Sequence, residues 1–224
     1  MPLELLPLQA SDAEAWAKLD YLSFKDTIGR VLWTRDPSPE TFSLMAQDRL
    51  KELQTPDTVH HKIVDTDIDP QRPIAFASWH IYRNDRSQAE LDASHVIPDM
   101  FPERNKDAVL DFWSRLFAEQ KALIGGRPHI YLEMLGTHPD FQRRGAGSML
   151  VKWAAEEADR LGLEIFIEAS PPGSFLYSKF GLETVKEVLF KGAPFGVDVD
   201  ELTKVRSLPF VVKIFSYLMC LVYG

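Results

Sequence analysis

The chain has 224 residues, 45% of them hydrophobic, and a net charge of -8. That suits one sizeable core and a cationic ligand, and it is the wrong sign for a nucleic-acid surface. A single cysteine, Cys220, excludes an intramolecular disulfide, and the opening MPLELLPLQASDAEAW lacks a basic leader with a long apolar segment, so the cytoplasm is the expected compartment.

Residues 3–8 read as a first strand, and Ser11 or Asp12 can cap a following helix that carries Ala15, Trp16, Leu19 and Leu22. A second helix is expected at about 39–53, then paired strands at 59–65 and 73–82 around the turn-rich Asp67-Ile68-Asp69-Pro70. A long piece, 83–128, follows; within it Val109, Leu110, Trp113, Leu116 and Phe117 recur at helical intervals across 106–123. It is either an inserted helix that simply packs or a wall of a substrate pocket.

The stretch HIYLEMLGTHPDFQRRGAG, residues 129–147, carries the most information. Ile130, Tyr131, Leu132, Met134 and Leu135 form an apolar run broken by Glu133, the pattern of a buried strand, and Pro139 ends it. After the glycines, Met149, Leu150, Trp153, Ala154, Ala158 and Leu161 recur at helical spacing up to a capping Gly162. Backbone N–H groups that open a helix have no intrahelical partners, and their dipoles favour an anion. Gly145 and Gly147 lack a Cβ, Ala146 adds one methyl, and Gln142, Arg143 and Arg144 add donors and charge, so the turn suits a pyrophosphate. No Gly-Lys-Ser/Thr follows, as a P-loop requires, and the first glycine of the dinucleotide fingerprint is missing.

A strand at 164–169 comes next, then a short helix opened by Pro171 and Pro172, carrying Phe175, Leu176, Tyr177 and Phe180 and ended by Gly181. The run 208–224 is strongly apolar but short and contains Lys213, so it is a poor membrane span. A closing strand at about 209–217 is expected, its last residues packing on the core, serving a homodimer contact or forming an exposed end.

The spacing Gln142-Arg143-Arg144-Gly145-Ala146-Gly147 resembles the Q/R-x-x-G-x-G/A signature of the GNAT superfamily of acyl-CoA-dependent N-acyltransferases. PPGSFLYSKFGLETV resembles that family's final helix and strand, with Leu182 at a position usually occupied by phenylalanine. The likeness covers residues 130–185, about a quarter of the chain. It implies an α/β (α+β) fold, a mixed, largely antiparallel sheet flanked by helices, as one domain over 1–224 with a helical insertion at 83–128.

It also implies roles. The backbone of Leu135, Gly136 and Thr137 would bind the pantetheine arm of acetyl-CoA, and Arg143, Arg144, Gly145, Ala146, Gly147 and Ser148, with Gln142, would hold the pyrophosphate. Tyr177 would protonate the departing thiolate. Ser170 stands where an asparagine often contacts pantetheine or water. The activity implied is direct acetyl transfer to a primary amine, on a small molecule or a peptide, through a tetrahedral intermediate. Glu133 is the best-placed carboxylate to take the amine's proton, or else an ion-paired or edge-facing group. Alternation would point Tyr131, Glu133 and Leu135 to one face unless a bulge intervenes. His60, His61, His80, His129 and His138 show no metal-ligand spacing, so structural roles and no metal are expected. The competing class is a non-catalytic acyl-CoA-binding module; within the enzyme class, a hydroxyl acceptor or another acyl donor is the alternative.

Overall fold

The computed structural model describes residues 2–97, 100–198 and 200–208, the last of these by backbone alone. In chain order the elements are β1 (Leu3–Pro7), α1 (Ala13–Phe24), α2 (Gly29–Leu32), α3 (Pro39–Glu52), β2 (Thr58–Asp65), β3 (Asp69–Tyr82), α4 (Gln88–Ser94), α5 (Lys106–Leu123), β4 (His129–Thr137), α6 (Ala146–Leu161), β5 (Glu164–Ala169), α7 (Pro171–Ser178), β6 (Glu183–Lys191) and β7 (Asp200–Leu208). Among the described residues, seven strands form one sheet in the order β1-β2-β3-β4-β5-β7-β6. The β4–β5 pair is parallel and the others are antiparallel. The expected mixed, largely antiparallel sheet flanked by helices is therefore present.

The helices start where their caps dictate. Ser38 accepts the Thr41 N–H at 3.1 Å ahead of Pro39, and Asn105 accepts the Ala108 N–H at 3.3 Å, so α3 and α5 open on satisfied donors. The start of α1 is different. Asp12 makes no side-chain cap to it; its carboxylate accepts from the Gln9 N–H at 2.9 Å and from Lys62 Nζ at 2.6 Å, tying the helix entry to β2. Asp12 thus holds the N-cap position of α1, as expected, without a side-chain hydrogen bond to the helix, and Ser11 lies in the short 3-10 turn before it.

Period-two alternation divides the sheet faces. Ala75, Ala77, Trp79 and Ile81 of β3 join Ile130 and Leu132 of β4 against Leu150, Val151, Ala154 and Ala158 of α6. Each fully buried branched side chain there contributes about 1.5–3 kcal/mol. On the opposite face Phe76 packs with Trp16 and Leu19 of α1, and α5 adds Leu123 to a cluster with Tyr131 and Phe166. The helix at 106–123 thus packs on the sheet, and Val109 joins Val31, Leu32 and Phe190.

One strand lay outside the expectation. β7 runs between β5 and β6, and its charges at Asp200, Glu201, Lys204 and Arg206 hide it from an apolar-pattern search. The closing strand expected at 209–217, and any homodimer contact made by it, fall outside the described residues. No helix among the described residues is long and apolar enough to cross a membrane.

Candidate active site

The sheet opens where β4 meets β5. Their pairing runs from His129 with Glu164 to Leu132 with Ile167 and stops, so from Glu133 onward the outer edge of β4 has no strand partner among the described residues. A bulge marks the same place: Trp79 pairs with Leu132 and Ser78 with Met134, leaving Glu133 as the extra residue. The bulge breaks the alternation. Tyr131 and Glu133 share the face of His80, whereas Leu135 turns to the α6 side, where it packs with the main core. The three side chains therefore do not point together.

The loop before α6 lies over this opening. Arg143 is exposed and left-handed, with φ 60°, and Gly145 follows at φ 95°, while Gln142 is extended. Such alternation turns successive amides toward one side. The first helical bond of α6 runs from the Met149 N–H to the Gly145 carbonyl at 3.0 Å, and Gly145 offers no side-chain cap. The amides of Ala146, Gly147 and Ser148 precede that bond, where a helix leaves its donors unsatisfied.

Glycine matters here twice. A Cβ on Gly145 would meet nothing within 4 Å, which leaves open space beside a left-handed backbone that glycine adopts freely. A Cβ on Gly147 would lie 3.0 Å from Leu176 Cδ2, 3.8 Å from Leu135 Cδ2 and 4.0 Å from Thr137 Oγ1. The absent side chain thus lets α6 close on α7 and on the free end of β4. Gly136 has a separate duty, because a Cβ there would lie 2.6 Å from both Phe76 Cε1 and Ser23 Oγ.

The two arginines differ. Arg144 pairs with Asp65 of β2, whose side chain is 1% exposed, and it stacks 5.3 Å over the Phe141 ring. That ion pair holds the loop on the sheet and leaves exposed Arg143 as the outward charge. Ser170 caps α7, its Oγ accepting the Gly173 N–H at 3.4 Å. Tyr177 is buried, its ring 3.1 Å from where a Gly173 Cβ would stand, and burial pushes its phenol well above the usual range. Its hydroxyl therefore stays protonated at neutral pH.

The other side of the opening is polar. Glu133 Oε2 lies 3.1 Å from His80 Nε2. Burial opposes the charge on Glu133, yet the His80 contact and the attraction of His80, Arg49 and His60 outweigh it and hold the carboxyl below its usual range. Behind it, Arg49 bridges to Glu52 at 3.0 Å, and burial pushes Glu52 up to about 8 against that pull. Burial also raises Asp20. His60 Nδ1 meets Ser78 Oγ at 3.0 Å. His80, expected to be structural, is set against Glu133 by the fold. The alternation of Ser78, His80 and Tyr82 with Ala77, Trp79 and Ile81 is the signal that a polar face was being built. No cluster of metal-binding type occurs among the described residues.

A family model, that of the acetyltransferase (GNAT) family, matches residues 109–181. No curated protein matches significantly. Solved structures of similar fold include a protein described as histone acetyltransferase HPA2 and related acetyltransferase from Corynebacterium glutamicum, at 16% identity and TM-score 0.58, covering 96% of this chain and 99% of that one. The C-terminal condensation domain of Ebony, solved with beta-alanyl-dopamine, is 15% identical with TM-score 0.61, covering 93% and 99%. The PaiA N-acetyltransferase of Thermoplasma acidophilum, solved with coenzyme A, is 12% identical with TM-score 0.50, covering 94% and 100%.

Proposed function

We propose that this chain, which carries the GNAT fold and matches that family over residues 109–181, transfers an acetyl group from acetyl-CoA to a primary amine. The observation that carries this reading is the meeting of three features at one place: the unpaired edge of β4, the left-handed loop with its open Gly145, and the helix start behind it. Main-chain donors from Arg143 to Ser148 grip the diphosphate, with Gln142 and Arg143 at the rim, and Arg144 acts through Asp65 to fix the loop. The pantetheine arm lies along Leu135, Gly136 and Thr137, and Ser170 bounds its far side by capping α7. One domain, 1–224, supplies all of these parts.

The chemistry needs alignment more than covalent help. An amine lone pair attacks the thioester carbonyl, and the oxyanion that forms is met by a main-chain N–H near Leu135. Glu133, with His80, accepts a proton from the nitrogen. Tyr177 hydrogen-bonds the developing thiolate and gives it a proton as the C–S bond breaks. The amine class is supported by the chain's net charge of -8 and by a structural neighbour that holds beta-alanyl-dopamine. That same neighbour favours a second reading, in which the acyl group is larger than acetyl.

Calorimetry with coenzyme A tests the cofactor site directly. Wild type should bind, and Gly145→Glu, which sets bulk and negative charge against the phosphates, should lower affinity by about 100-fold or more. Equal affinity in a folded variant would remove the loop from the site.

A further inference from the structure

We infer that Glu168 is a second proton acceptor of this site, set across the mouth of the strand opening from Glu133, and that the pair selects an acceptor that arrives as an ammonium cation. The inference rests on the acyltransfer reading above and extends it to the nucleophile's side.

The register places the two carboxylates. Leu132 and Ile167 are the last paired residues of β4 and β5, so Glu133 and Glu168 are the first residue of each strand beyond the junction. They share a face: the Tyr131 hydroxyl donates to Glu168 Oε2 at 2.8 Å, the Tyr131 ring lies 6.0 Å from the His80 ring, and His80 contacts Glu133. Both are half-buried, while Ile165, Phe166, Ile167 and Ala169 around Glu168 are buried. A carboxylate inside an apolar strand opposes folding unless something offsets it, and among the described residues the Tyr131 hydroxyl supplies a hydrogen bond to it.

The environments of the two groups diverge. Burial drives Glu168 up, the Tyr131 hydrogen bond holds it back, and the balance falls at about 7. Glu133 moves the other way, held ionised by His80. Among the described side chains, Tyr131 contacts Glu168, and Tyr82 and Glu133 in turn act on that tyrosine; Val205 of β7 is the backbone register partner of Glu168. Two acids pushed apart by their surroundings divide the labour of proton transfer.

The reaction has work for both. An ammonium nitrogen must lose one proton before its lone pair can attack, and Glu168 takes it as carboxylate. The N–C bond then forms, the carbonyl electron pair moves to oxygen, and the nitrogen carries positive charge with a second surplus proton. That proton passes to the Glu133–His80 pair as the C–S bond breaks, and sulfur takes the proton of Tyr177. All three groups then re-equilibrate with solvent.

The test follows thiol release from acetyl-CoA with 2-phenylethylamine and with spermidine as probe amines, beside calorimetry with coenzyme A. Glu168→Gln should lower kcat/KM for the better amine by about 100-fold and leave coenzyme A affinity within about twofold. Its pH profile should lose an acid limb that wild type shows near pH 7, and Tyr131→Phe should move that limb to higher pH, because the hydroxyl stabilises the carboxylate. A structural glutamate would leave the limb in place. Retention of the limb with a rate within about threefold of wild type would overturn the assignment alone. Wild type that binds coenzyme A yet releases no thiol with either amine would overturn the amine-transfer reading and this assignment together.

Discussion

The two sides of the β4–β5 opening are built on opposite principles. On the α6 side the wall is apolar and close-packed, its polar work done by main-chain amides and by glycines whose missing side chains let helices and ligand approach. On the α1 side the wall carries Asp20, Arg49, Glu52, His60, His80 and Glu133, and Trp16 Nε1, Arg49 Nε and Glu52 Oε2 are buried without a hydrogen-bond partner among the described residues. Backbone recognition of a phosphate needs a rigid turn and tolerates no drift. Proton transfer needs titratable side chains whose environments differ. The contrast fits the proposed function, with one wall for binding and the other for chemistry.

The sharpest way to break that division is at Tyr177, which stands on the binding wall but is given a chemical task. Tyr177→Phe should reduce turnover by about 10²–10³-fold with coenzyme A affinity unchanged. If affinity falls and turnover per bound cofactor does not, the tyrosine packs and the chemistry belongs wholly to the opposite wall.

A second effect is read by pH. His61, packed 4.3 Å from the Trp153 ring, and His129 are buried, and burial lowers each to about 4. Both groups titrate at 6.5 when free, so as pH falls from 6.5 toward 4 the unfolded chain takes up protons that the folded chain refuses, and stability drops. Each histidine contributes about 3 kcal/mol to that loss. Glu52 and Glu168 act with the opposite sign: raised from 4.5 to about 8 and about 7, they favour the folded state at low pH and lose that contribution as pH rises. The readout is therefore a difference. Thermal melts of His61→Asn should lose less stability than wild type between pH 6.5 and 4, and parallel curves would show that His61 is not buried neutral.

The smallest effect concerns the loop's anchor. Asp65→Asn should weaken coenzyme A binding by about tenfold, because Arg144 loses a buried partner and the amides lose their register. An unchanged affinity would show that the left-handed loop holds its shape without β2.

Much of the binding wall was legible because its parts are contiguous: strand, glycine turn and helix lie within 129–161, and the Leu176-Tyr177 pair follows closely. The chemical wall was not. His80 and Glu133 are 53 positions apart, and Tyr131 reaches Glu168 across 37, so no local spacing links them. Glu133 was visible as a charge in an apolar run, yet the bulge that separates it from Leu135 depends on Trp79 and Ser78 of another strand. The helix at 106–123 was readable from its periodicity, whereas its packing against Phe190 required the fold. The ion pair of Arg144 was hidden for the same reason: nothing near it in sequence announces Asp65, 79 positions away.

Only four residue pairs stitch β4 to β5, so the two halves of the sheet meet along a short seam that α6 and α7 straddle. A pantetheine arm bound as proposed in the wedge beyond Leu132 would supply the missing rungs and lock the halves in register. The protein would then be stiffest when loaded, and slowed amide hydrogen exchange at Glu133–Thr137 would register occupancy before any acyl group has moved.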